Sequence, residues 1–333
     1  MTVELSFFTF IVGAVVSLAT SWVLVTRLER VGERLGFSEA SLGMVAALAA
    51  DTPEITASIT AIAHHQQTVG AGVVLGSNVF NLAALLGLGA VVAGRIDLHR
   101  RVVVLGGTVA MIVGVACLLS VGGQISARVG LSIVMAVLLG YVALLAAHVS
   151  ILARLHLPET WTGWLNTAIV EEESELEEAI RPQKGTGRDA VAAAAALVVV
   201  LVASVAMEQG ASTLGTHFGV PQIVVGGLVL AAVTSLPNAV SAVYLARRGR
   251  GAAALSTALN SNSLNVAAGL LIPAVLIGLA KPSDSGLLVA SWYVGLTVLT
   301  LLLAYVGRGL GRLSGAVIIL AYLGFVVVLL ATT

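Results

Sequence analysis

Of the 17 acidic residues in this chain of 333, only Asp51 and Glu54 fall inside an expected membrane span; the rest sit at span ends or in connections. A carboxylate at that depth costs at least about 2.5 kcal/mol, so it reads as functional by default. The two stand three residues apart across Pro53, which puts them on about the same face of a helix. In otherwise apolar runs stand further oxygen donors: Thr52, Ser77, Asn81, Thr234, Ser235, Asn238, Ser261 and Asn265. Oxygen ligands suit hard cations such as Na+ and Ca2+, not zinc or copper. The same four spans hold no lysine or arginine. Two carboxylates this close repel, so a proton at one of them competes with a metal cation for the pair.

The elements that hold these residues are set by composition. The chain is 58% hydrophobic and 10% charged, with a mean hydropathy of +1.02. A soluble domain carries about 25% charged residues, so an ordinary water-soluble globule is excluded. A net charge of zero excludes nucleic acid as a partner. The single Cys117 permits no internal disulfide and no multi-cysteine metal site. A spanning helix needs about 20 apolar residues. Such runs fall at roughly 4–26, 40–63, 71–94, 102–121, 127–153, 190–208, 223–246, 253–280, 286–306 and 314–331. The expected fold is an all-α polytopic membrane protein with ten transmembrane helices. The first run is too long for a signal-peptide core and reads as a retained span.

The basic residues test that count. With ten spans, 15 of the 17 lysines and arginines fall on one side and 2 on the other. Basic residues mark the cytoplasmic side, so both termini are expected outside the cell membrane and the central connection in the cytoplasm. That connection, 154–189, carries the acidic run Glu171, Glu172, Glu173, Glu175, Glu177 and Glu178, which reads as a solvated linker. It divides a first five-helix repeat, 1–153, from a second, 190–333.

The two halves share a motif at an offset of 184 residues. Gly43 meets Gly227, Pro53 meets Pro237, and Ser77, Asn78 and Asn81 meet Ser261, Asn262 and Asn265. Five spans separate the copies, an odd number, so the second crosses in the opposite sense. The charges agree: His64, His65, Gln66 and Gln67 in one hairpin stand where the other has Arg247, Arg248 and Arg250. Inverted repeats with helices broken near the midplane are the construction of secondary transporters. Pro53 and Pro237 supply the expected helix breaks.

Pro53-Glu54 and Ser235-Leu236-Pro237, each followed about 23 residues later by Gly76-Ser77-Asn78 or Asn260-Ser261-Asn262, resemble the two alpha repeats of the sodium/calcium exchanger family of calcium:cation antiporters. The likeness covers about 40–87 and 223–271. It implies that Glu54 is the ion-binding glutamate of the first repeat, with Ser77, Asn81, Thr234, Ser235 and Ser261 as polar ligands. The second repeat is degenerate: Asn238 stands where the family has glutamate, and Asn265 where many members have an acid. The first-repeat Thr-Ser reads Ala50-Asp51, and Asp51 is a candidate to replace the lost carboxylate.

The expected function is secondary active cation antiport, Ca2+ against Na+ or H+, by alternating access, with spans 1 and 6 as the sliding element. Asn238 and Asn265 keep a Ca2+/H+ or monovalent cation/H+ exchanger as an alternative. An ion-sensing or scaffold membrane protein is the alternative of another class. No cofactor is expected, and the absence of a nucleophile motif, metal cluster or phosphate loop argues against an enzyme. The partners are inorganic cations and the lipid bilayer; the oligomeric state stays open, and a monomer suffices.

Overall fold

The computed structural model describes residues 2–35, 45, 47–146, 163–165, 167, 170 and 185–333. It is built almost wholly of helices. In chain order these are α1 (Val3–Leu35), α2 (Thr52–Ala63), α3 (Gln67–Ala93), α4 (Arg100–Val121), α5 (Ala127–Ala146) and α6 (Gly187–His217). The second half adds α7 (Gln222–Thr234), α8 (Leu236–Arg247), α9 (Gly251–Leu276), α10 (Asp284–Gly307) and α11 (Arg312–Thr332). Among the described residues, eight helices are long and apolar enough to cross a membrane, and the bent pair α7–α8 makes a ninth. The expected span 40–63 lies partly outside the described residues, and 147–153 and the acidic run 171–178 lie wholly outside them.

Apolar side chains sort the bundle into a centre and a rim. Phe7, Phe8 and Trp22 on α1, Val198 and Val202 on α6, and Leu313, Leu320 and Val327 on α11 are exposed. In water such faces would be aggregation sites; on helices that satisfy their own backbone they meet lipid. In contrast, α3 is 94% buried over its most apolar window, against 28% for α1 and 22% for α11. The site therefore sits on the central helices, away from lipid.

Two close approaches hold the frame. At Gly76 of α3 a Cβ would lie 2.6 Å from the carbonyl carbon of Gly227 on α7, so only glycine lets these backbones meet. Along α1 and α6, a Cβ on Gly13 would lie 2.8 Å from Ala203 O, and Ser17 Oγ and Ser204 Oγ share a hydrogen bond of 2.8 Å. The same pair is tied at one end by Arg27 Nη1 to Asp189 Oδ1, 2.6 Å.

Three features depart from expectation. First, two helices overrun their expected ends by nine residues: α1 reaches Leu35 rather than 26, and α6 reaches His217 rather than 208, so Glu208 lies inside a helix and is buried. Second, each break falls just before its proline, at Asp51 and Ser235, with Pro53 and Pro237 in the first turn of α2 and α8. A first-turn amide has no intrahelical acceptor, so proline is tolerated there. Third, a small antiparallel pair joins β1 (Arg95–Asp97) to β2 (Gly309–Gly311), with Ile96 opposite Leu310 and both buried. Three-residue strands carry too little alternation to be seen in sequence.

Candidate functional site

A helical hydrogen bond reaches each break. Asp51 N donates to Ala47 O at 2.9 Å and Ser235 N to Ala231 O at 3.2 Å. Beyond it, Pro53 has no N–H for the Ala49 carbonyl, and Ser21 Oγ of α1 approaches that oxygen at 3.4 Å. In the second half the axes of α7 and α8 diverge by 48° at Ser235. The breaks thus place Asp51 and Ser235 at helix ends inside the bundle, where their side chains can turn toward each other.

Both carboxylates are fully buried and are met by side chains from the other half of the chain. Asp51 Oδ1 accepts from Asn238 Nδ2 at 2.7 Å and from Ser261 Oγ at 2.6 Å. Glu54 Oε1 accepts from Ser235 Oγ at 2.5 Å, and its Oε2 accepts from the side-chain amide of Asn265. Asn81 Nδ2 reaches Ser261 Oγ at 3.3 Å, and Asn238 Nδ2 reaches the same oxygen at 3.3 Å. Ser77 is buried on α3 and set against Glu54. Every one of these donors is neutral. Burying two negative charges with neutral donors alone is costly unless a cation or proton joins them.

A place for positive charge is suggested by the unmet oxygens. Asp51 Oδ2, Ser77 Oγ, Asn81 Oδ1 and Asn265 Oδ1 are buried and have no hydrogen-bond partner. Buried polar atoms are nearly always paired, so four bare oxygens in one cluster would be satisfied by a ligand that brings positive charge. Oxygen-only coordination suits a hard cation. Local helix geometry contributes. Asn81 stands at the start of a π-helical turn, Leu82–Leu88, and Asn265 opens another, Asn265–Leu271. Such widened turns re-aim side chains and gather at functional sites.

Eight of the ten expected donors meet in this cluster, together with the break prolines beside them. Thr52 and Thr234 do not: each hydroxyl donates back one turn along its own chain, Thr52 to Leu48 O at 3.1 Å and the buried Thr234 to Leu230 O at 2.9 Å. Asn78 and Asn262, part of the repeated motif yet not among the expected ligands, tie the halves together. Each side-chain amide donates to the other's backbone carbonyl at 3.0 Å. Asn262 Oδ1 also accepts from Asn81 Nδ2 at 3.0 Å. Their recurrence at one offset is the signal in the sequence that could have found them. Ser58 is a further such residue, 2.8 Å from both Gly70 O and Gly269 O.

Comparison with known proteins bears on the family and the fold. The family model described as sodium/calcium exchanger protein matches residues 5–148 and 189–331. The sodium/calcium exchanger MaX1 of Methanosarcina acetivorans is 30% identical over 111 residues, 33% of this chain and 32% of that protein. The sodium/potassium/calcium exchanger Nckx30C of Drosophila melanogaster is 31% identical over 110 residues, 33% of this chain and 12% of that protein. The chain spans less than half the length of these curated relatives. A solved structure of the sodium-calcium exchanger NCX_Mj, soaked with Na+ and Sr2+, superposes with a TM-score of 0.62 at 19% identity, covering 98% of this chain and 99% of that one. At that identity the likeness speaks to the fold, a helical membrane exchanger fold. Because the family model spans most of both halves, the conclusion is direct: this chain belongs to the sodium/calcium exchanger family.

Proposed function

We propose that the protein is a secondary active antiporter that exchanges Ca2+ for Na+ across the cell membrane by alternating access. The observation that carries this reading is the convergence of Asp51 and Glu54 with the bare oxygens of Asn81 and Asn265 in a cluster of neutral donors. Competing ions share the two carboxylates, so occupancy by one excludes the other. The halves reorient only when that charge is neutralised. Asp51 supplies from the first half the charge that Asn238 no longer supplies from the second, and this matters twice as much for a divalent ion as for a monovalent one. In this reading the halves are inverted five-helix repeats, the termini lie outside and the central connection lies in the cytoplasm. The α1–α6 pair slides past the central helices to switch access.

A second reading, exchange against H+, is favoured by one feature: no lysine or arginine on α2, α3, α7 or α9 balances the carboxylates. A proton on either one would serve as the counter-ion. The test is uptake of labelled Ca2+ into proteoliposomes, driven in turn by a Na+ gradient and by a pH gradient. Accumulation under the Na+ gradient alone supports the first reading, and under the pH gradient alone the second. Accumulation under neither removes both.

A further inference from the structure

A second carboxylate site lies apart from the central cluster, where α6 passes the turn between α2 and α3. Glu208 of α6 is 1% exposed. Its Oε1 accepts from Ser212 Oγ at 2.8 Å, one turn further along the helix, while Oε2 is buried without any hydrogen-bond partner. The Ser212 oxygen also lies 2.8 Å from Gln66 Oε1 in the α2–α3 turn. A hydroxyl has one proton to donate, so it can satisfy only one of these two acceptors. The other oxygen is left bare along with Glu208 Oε2. All three residues line a cavity of about 410 Å³, together with His64 and Thr213 among others. The lining contains no lysine or arginine. Bare, buried, acceptor-only oxygens around an open volume are matched by a group that brings positive charge and needs no acceptor.

We propose that Glu208, Ser212 and Gln66 form a second cation-binding site, separate from Asp51 and Glu54, which takes a hard inorganic cation through oxygen. Glu208 supplies the charge, and the Ser212 hydroxyl and Gln66 carbonyl oxygen supply neutral ligands. A carboxylate with neutral oxygens is the donor set that Na+ and Ca2+ accept. The site bridges two bodies: Glu208 and Ser212 ride on α6, and Gln66 belongs to the turn that joins two central helices. A cation held between them ties α6 to that turn. Resting on the transport reading above, its occupancy would bias the position of the sliding pair; the binding itself does not depend on that reading.

The test is equilibrium binding of 45Ca2+ and, in parallel, of 22Na+ to the purified full chain in detergent, with Glu54→Gln as the background. Glu54→Gln should retain a saturable component for at least one of the ions. Adding Glu208→Gln, which keeps size and the acceptor for Ser212, should weaken that component about tenfold or more. Ser212→Ala and Gln66→Leu should each weaken it several-fold, and they decide the matter if Glu208→Gln does not fold. Binding of both ions that is unchanged by these substitutions, or no retained component for either ion, overturns the proposal. Because no gradient is involved, the result stands whether or not the liposome experiment shows exchange.

Discussion

Asn78 and Asn262 hold each other by a reciprocal pair of hydrogen bonds: each side-chain amide donates to the other's backbone carbonyl at 3.0 Å. The residues are 184 apart, the offset of the two motifs. Contacts in which i meets j and j meets i arise where like surfaces face each other across a twofold axis. The element bounds follow the same offset: α2 and α8 each have 12 residues, and each begins one residue past its break. Replacing either asparagine by alanine removes one buried hydrogen bond between the halves, while the other's carbonyl keeps its helical N–H partner, at about 0.5–1.5 kcal/mol. Thermal unfolding in detergent should show both single variants destabilised. Because the two bonds share one junction, the double variant Asn78→Ala/Asn262→Ala should cost less than the sum of the singles.

Glu54→Gln should lower ion-driven Ca2+ uptake by about 100-fold or more while leaving the fold intact. Glutamine keeps the volume and an acceptor for Ser235, but the charge is gone. Truncating one partner of a buried charged contact costs about 2–5 kcal/mol of binding, and each 1.4 kcal/mol is tenfold. Initial uptake rates in proteoliposomes, beside size-exclusion profiles of the purified variant, measure both halves of this expectation. Full uptake by the variant would remove Glu54 from the site.

Asp51 and Asn238 are one hydrogen bond apart, 2.7 Å, so a negative charge can be moved between them with little displacement. Asp51→Ser alone should reduce Ca2+ uptake about tenfold or more. Asp51→Ser with Asn238→Glu should recover most of it, because the site again has two carboxylates. A double variant as inactive as Asp51→Ser would show that position 51 does more than carry charge.

Gly76→Ala should lower the unfolding temperature markedly, since the added Cβ collides with the Gly227 backbone and that main chain cannot yield like a flexible side chain. Overpacking of this kind costs about 1–3 kcal/mol. Gly140→Ala on α5 is the control, because nothing lies within 4 Å of the added carbon. It should leave the unfolding temperature unchanged or slightly raised, as alanine is the better helix former.

Cross-linking separates motion within a pair from motion between bodies. With Cys117 replaced, a disulfide between Ser17→Cys and Ser204→Cys would join α1 to α6, which already share a hydrogen bond of 2.8 Å. Exchange should survive it if the two helices move together. A disulfide between Gln66→Cys and Ser212→Cys would join α6 to the α2–α3 turn and should arrest exchange until it is reduced. Equal rates in both cross-linked variants would contradict a sliding α1–α6 pair.

Much of the site is legible in the amino-acid sequence, because its signals are local. Prolines, hydroxyls and amides recurring in apolar runs stand out against lipid-like composition. Hydropathy places them on spans to within a few residues for most helices. It fails at Glu208, where the stretch 209–217 is rich in small and polar residues that lower a window average although the helix continues. The proline pattern also puts each break at the proline itself, whereas the backbone breaks two residues earlier, because a proline fits the first turn of a new helix. Thr234 groups with the ligands on type and position, yet its hydroxyl returns to its own backbone. Type alone does not say whether a buried hydroxyl serves the helix or a ligand.

By itself the amino-acid sequence determined that this is a helical membrane protein, that its only acids deep in the early spans are Asp51 and Glu54, and that its polar motif occurs twice. Those properties follow from composition, spacing and the thickness of a bilayer, all readable along one dimension. Tertiary structure alone decided that Asp51 meets Asn238 and Ser261, that Glu54 meets Ser235 and Asn265, and that Glu208 faces Gln66. These partners are separated by more than 140 residues. Their meeting depends on how closely helices approach, which glycines at 76 and 227 and the widened turns at Asn81 and Asn265 set by backbone contact rather than by any local preference.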